Sequence, residues 1–352
     1  MKKLKILYTI PNFKTAGSQY VVLSLIQKLD VDRYDVFIAV ENHLELVPNI
    51  IPVSNKFIYN LTGQKWKDAF GFRRLLKKHK IDLVHSWDYK SLDVEVLGSR
   101  LAGVKYLFTK KNAAWSKRWF LKSLLASHIA YDNPSMKESF FSHKLLKNKI
   151  TFIPHGVNTK VFFPMELAKE ESSNFNICCI GNINNNKNQG FIVDALKDLP
   201  AKIHLNLYGK VDPSYMDKLD IKITNSGLKD RVHFKGFVEN INLPKVLNEH
   251  DIFILASVRE GLPVSILEAL ACGLPVLSSD SGGGARYIFK EHVSDSIFEL
   301  SNPKNFKALV LKLYNNKDYY TLKSRESLSI VRERFQLERE VEQYEKLYSR
   351  MV

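Results

Sequence analysis

Two glutamates in the second half of the chain have the residue type and spacing for chemistry on a hydroxylated ligand. Glu260 lies in a polar turn, and Glu268 follows eight residues later in an otherwise apolar helix. A carboxylate among apolar side chains needs a partner or a water-filled cleft. Because a carboxylate accepts hydrogen bonds from two neighbouring hydroxyls, the pattern E-x7-E is suited to a ribose diol. The alternative from these residues alone is that Glu268 pairs with a lysine and Glu260 is a solvated turn residue.

The elements that would position the glutamates are a strand, a turn, a helix, a second strand and a second turn. Residues 252–256 are an apolar run typical of a buried parallel strand, and Pro263 stands where a first helical position would be. A glycine and a proline then end the helix, residues 276–279 predict the next strand, and residues 281–284 predict the second turn. Backbone N–H groups of residues 261–264, at the start of the helix, are suited to an anion or a polar sugar edge.

The segment 257–288, with its runs REGLPV and ACGLPV, resembles the donor-site signature of retaining glycosyltransferases of the GT-B fold, in particular glycosyltransferase family 4. The resemblance extends over nearly the whole chain and is most specific in this segment. It implies an α/β fold of two doubly wound, Rossmann-like domains that face each other across a cleft, with a C-terminal helix crossing back to the first domain. It also implies that Glu260 lies by the transferred sugar and that Glu268 holds the nucleotide ribose.

A cation is the third group that the resemblance places at the donor. Lys187 follows the glycine turn that begins at Gly181, where the family has its phosphate-binding lysine. A fixed positive charge there would stabilise the diphosphate that leaves when the donor is cleaved; from the residues alone, an exposed loop lysine is the alternative. The family has an arginine five residues before this lysine, and Asn182 occupies that position here. Because an asparagine cannot clamp a diphosphate bidentately, we expect Arg259 or Arg286 to supply the missing charge.

Two positions in the first half of the chain match family motifs that face the reacting sugar. Gly17 lies where the family has a Gly-Gly loop, and one glycine still permits close backbone approach. His85 lies at the predicted carboxyl end of a parallel strand, in the run DLVHSW, and is expected to act in catalysis. A hydrogen-bonded structural histidine is the alternative. Trp87 either stacks on a sugar ring or packs in the core.

The predicted site combines three catalytic residues with a larger donor-binding set. The catalytic residues are Glu260, His85 and Lys187. The donor-binding residues are Gly17, Gly181, Asn182, Lys187, Gly209, Arg259, Gly261, Leu262, Pro263, Val264, Glu268 and Arg286. The implied reaction moves a hexose-type sugar, with retention and without a metal or other cofactor, from a UDP-sugar or GDP-sugar to a hydroxyl of a glycan or glycolipid. Surface polysaccharide biosynthesis is the implied pathway. The alternatives are a catalytically impaired GT-B partner subunit and a GT-B epimerase or phosphorylase.

The net charge of +15 lies entirely in the first half of the chain, where residues 1–164 hold 27 Lys and Arg against 12 Asp and Glu. Such a surface is typical of contact with nucleic acid or with an anionic membrane. Because the sequence contains no nucleic-acid module, we favour the membrane and expect no nucleic acid partner. The segment 110–122, with Trp115, Trp119, Phe120 and five Lys and Arg side chains, is expected to lie at the lipid interface. A core helix with a solvated basic edge is the alternative.

The organisation of the chain predicts two domains. Alternating strands and helices, among them a basic helix at 70–80, predict one domain over 1–164, completed by the terminal helix at about 337–352. A donor-binding domain follows over 165–336. No run approaches the ~18–20 apolar residues of a membrane span, so we expect a cytoplasmic protein, peripheral on the inner face of the membrane. The three cysteines are expected to be buried free thiols, and the lack of G-x-G-x-x-G after any predicted strand disfavours a nicotinamide dehydrogenase.

Overall fold

The computed structural model describes residues 2–13, 18–87, 93–111, 115–166 and 174–352. The chain divides into two compact units, of which the first contains Met1–His155 and Leu337–Val352 and the second contains Gly156–Gln336. The boundary between His155 and Gly156 lies earlier in the chain than the domain boundary predicted at 164. The residues after it belong to the second unit, because Val157 and Phe162 are buried in its apolar core.

The first unit is built on a seven-stranded parallel sheet. Its strands are β1 Leu4–Thr9, β2 Tyr34–Val40, β3 Lys56–Ile58, β4 Leu83–Ser86, β5 Lys105–Lys110, β6 His128–Tyr131 and β7 Ile150–Phe152. Its first five helices are α1 Ser18–Lys28, α2 Lys65–His79, α3 Val94–Ala102, α4 Lys117–Leu125 and α5 Ser135–Phe141. The strand order β3-β2-β1-β4-β5-β6-β7 places a topological switch point between β1 and β4.

The second unit is built on a six-stranded parallel sheet. Its strands are β8 Phe175–Ile180, β9 Ile203–Tyr208, β10 Val232–Gly236, β11 Ile252–Leu255, β12 Val276–Ser279 and β13 Ile297–Phe298. Its helices are α6 Gln189–Leu196, α7 Pro213–Asn225, α8 Leu243–Asn248, α9 Val264–Ala271, α10 Gly284–Phe289, α11 Val293–Ser296, α12 Pro303–Asn315 and α13 Lys317–Arg334. The strand order β10-β9-β8-β11-β12-β13 places the switch point between β8 and β11.

The predicted α/β class is confirmed, since both sheets are parallel and their strands alternate with helices. The central stretch also folds as predicted. All four residues of β11 are buried, as expected for a strand covered on both faces. Pro263 is a small correction: its ψ of 108° is extended, so it precedes α9 and Val264 is the first helical residue. The three cysteines are buried and free, as predicted. Among the helices that the structure describes, none combines the length and apolarity needed to cross a bilayer.

The C-terminal helix α14, Leu337–Met351, belongs to the first unit, as the resemblance implied. It faces the sheet with polar side chains that are fully buried. The hydroxyl of Tyr348 lies 2.8 Å from that of Tyr8 on β1. The hydroxyl of Tyr344, one turn earlier, lies 2.9 Å from Oγ1 of Thr109 on β5. Because every buried hydroxyl in this set has a partner, the helix is held in one register on the sheet.

A buried charge cluster anchors the start of α14. Nδ1 of His155 lies 3.0 Å from Oε1 of Glu340, and Nε2 lies 3.1 Å from Oδ2 of Asp132; none of these side chains is more than 3% exposed. Burial by itself lowers the pKa of His155, but the two carboxylates outweigh it and raise the pKa to about 9. An imidazolium is therefore held between two carboxylates at neutral pH.

We expect Glu340→Gln to destabilise the protein at low and neutral pH but less at alkaline pH. The pKa of His155 is raised from 6.5 to about 9 in the folded chain. The stabilisation that this cluster provides is therefore complete below the lower value and is lost as the pH rises through the higher one. Urea unfolding should show a loss of about 2–3 kcal/mol near pH ~6 and a clearly smaller loss near pH ~9.5.

A matched control is Glu338→Gln on the same helix. Glu338 pairs with Lys28 but its side chain is 51% exposed, so the change should cost less than about 0.5 kcal/mol at either pH. A loss in the Glu340→Gln variant that grows with pH would contradict the assignment of a charged His155.

Candidate functional site

The candidate site lies at the carboxyl edge of the second sheet, where the turns after β8, β11 and β12 meet. β8 and β11 are adjacent parallel strands, although β9 and β10 separate them in sequence. Ligands of open α/β sheets bind at such a switch point, outside the carboxyl ends of the strands. The turn after β8 carries Lys187, and the turn after β11 carries Glu260.

Lys187 and Glu260 form an ion pair at this switch point. The lysine Nζ lies 2.7 Å from Oε1 of the glutamate, and the two side chains are 20% and 16% exposed. The aliphatic part of Lys187 runs over Gly181, where an added Cβ would lie 3.2 Å from the lysine Cε. The structure therefore brings together two of the three predicted catalytic residues, and both remain accessible to a ligand.

Hydrogen bonds join the three turns. The N–H of Val258 donates to the carbonyl of Asn186 at 2.7 Å. The side-chain amide of Asn186 donates in turn to the carbonyl of Arg259 at 3.1 Å. The N–H of Glu260 donates to the carbonyl of Ser281 at 2.7 Å. The backbone that carries the Glu260 carboxylate is thus fixed from both sides.

Glycines let the turns approach more closely than side chains would allow. A Cβ added to Gly284 would lie 1.8 Å from the carbonyl oxygen of Gly261, and one added to Gly209 would lie 2.0 Å from that of Gly181. No side chain fits at such distances, so these contacts require glycine. Three of the predicted donor-binding glycines therefore lie where the turns touch; their contact with a donor stays a prediction.

Glu268 lies in the second turn of α9, which begins directly after the turn that carries Glu260. Burial raises the pKa of its carboxyl from 4.5 to about 7, and a hydrogen bond with Asn240 lowers it in part. The residue nevertheless keeps some exposed surface. Asn240 follows β10 at the same edge of the sheet, and sequence reasoning missed it. Its place in a polar turn after the glycine that ends β10 is the signal that could have identified it.

The residues predicted to present backbone N–H groups lie at the N-terminal end of α9. Gly261, Leu262 and Pro263 lead into the helix, and Val264 is its first residue. Because proline has no backbone N–H, Pro263 cannot donate, and the donors of this stretch are Gly261, Leu262 and Val264. The side chain of Leu262 is 5% exposed and belongs to the apolar core beneath the helix, so it anchors the turn. Contact of this backbone with a ligand stays a prediction.

The two arginines expected to replace the missing charge differ in their surroundings. Nε of Arg286 donates to Oδ2 of Asp280 at 2.7 Å, and the arginine side chain is 48% exposed. Arg259 is exposed in the turn after β11. Asn182 is exposed as well, and its carbonyl accepts a hydrogen bond from the side chain of Gln189. That Arg259 or Arg286 binds a diphosphate stays a prediction.

His85 is a correction to the predicted site. Its side chain on β4 is 0% exposed; Nδ1 lies 2.7 Å from the hydroxyl of Tyr348, and Nε2 lies 2.8 Å from Oγ1 of Thr109. Burial lowers its pKa well below the ordinary value. With both ring nitrogens engaged and no accessible surface, this histidine fits the structural alternative. Trp87 is 3% exposed and belongs to the core, and Gly17 lies outside the described residues.

Two family models match the chain. The model for glycosyl transferases group 1 matches residues 165–330, and the model for glycosyltransferase family 4 matches residues 15–161. The chain belongs to glycosyltransferase family 4. The site described above lies in the part of this family 4 glycosyltransferase that the group 1 model covers.

Named relatives of this family 4 glycosyltransferase are about one quarter identical to it. The Escherichia coli UDP-Gal:alpha-D-GlcNAc-diphosphoundecaprenol alpha-1,3-galactosyltransferase is 25% identical over 319 residues, which is 81% of this chain and 80% of that protein. The Campylobacter jejuni N,N'-diacetylbacillosaminyl-diphospho-undecaprenol alpha-1,3-N-acetylgalactosaminyltransferase is 26% identical over 316 residues, 81% of each chain. A probable sucrose-phosphate synthase of Thermosipho melanesiensis is 28% identical over 231 residues, 62% of this chain and 53% of that protein, so the match spans about half of that relative.

Solved structures share the fold of this glycosyltransferase. HepE of Anabaena in complex with UDP and glucose superposes with a TM-score of 0.84 at 18% identity, covering 98% of this chain and 99% of that one. A glycosyltransferase of Rickettsia africae superposes with a TM-score of 0.86 at 18% identity, covering 100% and 99%. These likenesses confirm the predicted GT-B fold.

We expect Glu268→Gln to stabilise the glycosyltransferase above neutral pH. The pKa of Glu268 is raised from 4.5 to about 7 in the folded chain. Ionising this carboxyl therefore costs more in the folded chain than in the unfolded one. The free energy of unfolding is highest below the lower pKa and falls as the pH rises through the higher one. Glutamine cannot ionise. The variant should therefore gain about 1–2 kcal/mol, a few degrees in Tm, near pH ~8 and much less near pH ~5.5.

Thermal unfolding of the two proteins at both pH values measures this difference. Glu249→Gln is the control, because Glu249 lies in the same unit with a side chain that is 45% exposed. An equal gain at both pH values, or a loss near pH ~8, would refute the raised pKa of Glu268.

Proposed function

We propose that this glycosyltransferase moves a hexose-type sugar from a nucleotide-sugar donor, such as a UDP-sugar or GDP-sugar, to a hydroxyl of a glycan or lipid-linked acceptor. In this proposal the anomeric configuration is retained and no metal or other cofactor takes part. The observation that supports it most is the Lys187–Glu260 pair, an ammonium and a carboxylate 2.7 Å apart at the switch point of a doubly wound sheet.

The ion pair offers one group to each side of the bond that breaks. A donor diphosphate competes with Glu260 for the ammonium of Lys187, because both are anions within reach of one cation. As the bond between sugar and diphosphate breaks, negative charge gathers on the diphosphate and Lys187 neutralises it. Glu260, released from the lysine, accepts hydrogen bonds from the sugar and supports the positive charge that develops at the anomeric carbon.

Glu268 holds the ribose of the nucleotide in this proposal. Its carboxyl accepts from both ribose hydroxyls, and such hydrogen bonds favour the charged form. Donor binding would therefore lower the pKa that burial raises to about 7. Burial favours the neutral form of this carboxyl, whereas hydrogen bonds from the ribose hydroxyls favour the charged form. Because the charged form binds the ribose, donor affinity should increase as the pH rises through neutrality.

The relatives support a lipid-linked acceptor. The names of the Escherichia coli and Campylobacter jejuni enzymes place their acceptors on diphosphoundecaprenol, and that of a Rhizobium leguminosarum mannosyltransferase assigns it to lipopolysaccharide core biosynthesis. We propose an acceptor of this class and a role in surface polysaccharide biosynthesis. The protein would then work in the cytoplasm, peripherally on the inner face of the membrane. The net charge of +15, which lies in the first half of the chain, favours an anionic surface.

A second candidate function is favoured by Asn182, which stands where the family has an arginine. A GT-B partner subunit that binds donors but has lost turnover would fit that change. An epimerase or phosphorylase on the same fold is a further alternative, and the products distinguish it from a transferase.

A thermal-shift panel of nucleotide sugars, followed by product analysis, tests the proposal. One donor should raise Tm markedly more than the others, since ligand binding stabilises the folded state by mass action. That donor should then be consumed with a lipid-linked or glycan acceptor, and the new linkage should keep the anomeric configuration of the donor. Donor binding with neither transfer nor slow hydrolysis would favour the impaired subunit instead.

We expect Lys187→Ala to reduce kcat by about 10²–10³-fold, because removal of one charge-stabilising group from a preorganised site costs that much. Glu260→Gln should also reduce kcat, while donor binding measured by thermal shift is kept. Lys307→Ala is the matched control. Lys307 lies on α12 and its Nζ pairs with Oδ2 of Asp198 at 2.6 Å, so this change also removes a lysine from an ion pair. Steady-state kinetics with the donor found above measures all three. Turnover by Lys187→Ala at the level of the control would exclude the lysine from the reaction.

The arginine question has its own test. If Arg286 or Arg259 supplies the charge missing at Asn182, alanine at that position should lower kcat/KM at least about tenfold. Adding Asn182→Arg to the impaired variant should restore most of the loss. Arg325→Ala, an exposed arginine of α13, is the control. Wild-type kinetics in both alanine variants would show that neither arginine serves the diphosphate.

A further inference from the structure

Helix α2 of the first unit presents two large aromatic side chains to solvent. Trp66 is 60% exposed, and Phe70, one turn later, is 49% exposed. Arg74 and Lys77 continue along the same side of the helix and are exposed as well. We call these four residues the α2 stripe. It is roughly 16 Å long, and neighbouring exposed aromatic rings of this kind mark a surface that meets a partner.

The inner face of α2 fixes the direction of the stripe. Ala69 and Phe72 are 0% exposed. Gly98 of α3 lies so close that an added Cβ would be 2.7 Å from the carbonyl oxygen of Ala69. Asp68 is buried as well, and its carboxylate accepts a hydrogen bond of 2.7 Å from the hydroxyl of Thr62 in the preceding loop. The helix therefore cannot rotate to bury its aromatic rings.

The exposed surface of α2 is strongly basic. The helix contains six exposed cations, namely Lys65, Lys67, Arg73, Arg74, Lys77 and Lys78. Lys65 is paired with Asp93, which leaves five that contribute to the basic surface. Its one acid, Asp68, is turned inward. Each Lys or Arg close to an anionic bilayer contributes about 1 kcal/mol of attraction, which adds to the burial of the two rings.

Part of the segment predicted to lie at the lipid interface is buried instead. Lys110 and Lys122 are each 1% exposed. Their Nζ atoms lie 4.4 and 5.0 Å from the ring centre of Trp119. Trp115 stacks on a phenylalanine of α5, with ring centres 4.9 Å apart. These cations and rings stabilise the interior of the first unit, so the prediction is wrong for them.

We propose that the α2 stripe binds the surface of an anionic phospholipid bilayer, with α2 lying in the plane of the interface. The rings of Trp66 and Phe70 would enter the boundary between headgroups and acyl chains, while the flexible cations reach the headgroup phosphates. This inference rests on the peripheral membrane association proposed above, but not on the donor chemistry of the second unit.

A bilayer fits the stripe better than a single-stranded nucleic acid does. Exposed rings beside cations can also stack on bases, but proteins that bind single strands track the backbone in a positively charged groove. The α2 stripe is the outer face of a helix, which is convex. Aromatic and basic groups on such a face can all meet a plane at once.

Co-sedimentation of the full chain with vesicles tests the proposal. Vesicles of phosphatidylcholine with about one third phosphatidylglycerol should bind the wild-type protein, and pure phosphatidylcholine vesicles should not. Trp66→Ser/Phe70→Ser should lower the partition coefficient at least about tenfold, because two buried rings are lost. Arg74→Ser/Lys77→Ser should lower it about 30-fold at low salt, and the loss should shrink as added salt screens the attraction.

Two matched controls separate this surface from general charge and apolarity. Lys117→Ser/Arg118→Ser removes the same charge from exposed positions on α4 and should change partitioning less than about threefold. Ile221→Ser/Leu322→Ser removes exposed apolar side chains, 60% and 51% exposed, from the second unit and should have no effect. Equal losses in the α2 and α4 charge variants would overturn the proposal. So would unchanged partitioning of the Trp66→Ser/Phe70→Ser variant.

Fluorescence gives a second readout that does not depend on how much protein binds. Lipids brominated on their acyl chains should quench tryptophan emission of the bound wild type, and Trp66→Phe should remove most of this quenching while still binding. Binding of a single-stranded oligonucleotide, but not of vesicles, would overturn the proposal. A wild type that fails to bind anionic vesicles would overturn it together with the membrane association, whereas the nucleotide-sugar thermal shift tests the donor chemistry separately.

Discussion

The contact between the ammonium of Lys187 and the carboxylate of Glu260 depends on backbone that belongs to a sheet rather than to free loops. Both residues follow strands that are hydrogen-bonded neighbours, and the turn of Glu260 is bonded to the turns on either side. A charge pair on long, mobile loops loses conformational entropy each time it forms. Here the sheet has fixed the turns, and the glycine contacts between them leave no room for rearrangement. The site therefore has the preorganisation that electrostatic stabilisation of a leaving group requires.

The two units use the carboxyl ends of their parallel strands differently. In the second unit, that edge carries charged groups with accessible surface, Lys187 and Glu260. In the first unit, His85 lies near the carboxyl end of β4, and Tyr348 of α14 covers it. Because burial keeps this imidazole neutral and its two hydrogen bonds hold it in place, it contributes to docking α14. The same position in a doubly wound sheet can thus serve structure or chemistry, depending on what covers it.

The sequence predicted features that depend on neighbouring residues well, and features that depend on contacts between distant residues poorly. The strand, helix and strand around Glu268 were predicted closely, since an apolar run, a proline and a glycine act locally. His85 was misassigned because the hydroxyl that engages it is 263 positions away in the chain. The predicted start of α2 at 70 omitted its first turn, and with it Trp66.

Formal charge was the least reliable guide to surface, and the reason is physical. A lysine counts as +1 in the sequence wherever it lies, but Lys110 and Lys122 lie over the ring of Trp119 inside the first unit. Burial lowers the pKa of Lys110 to about 7, so part of the counted charge is absent near neutral pH. The field that reaches solution comes from cations that water surrounds. Helix α2 holds six exposed cations, of which Lys65 is paired with Asp93, and its one acid is buried. An electrostatic surface is therefore set by where the fold exposes its charges, and in the first unit α2 exposes several of them along one helix.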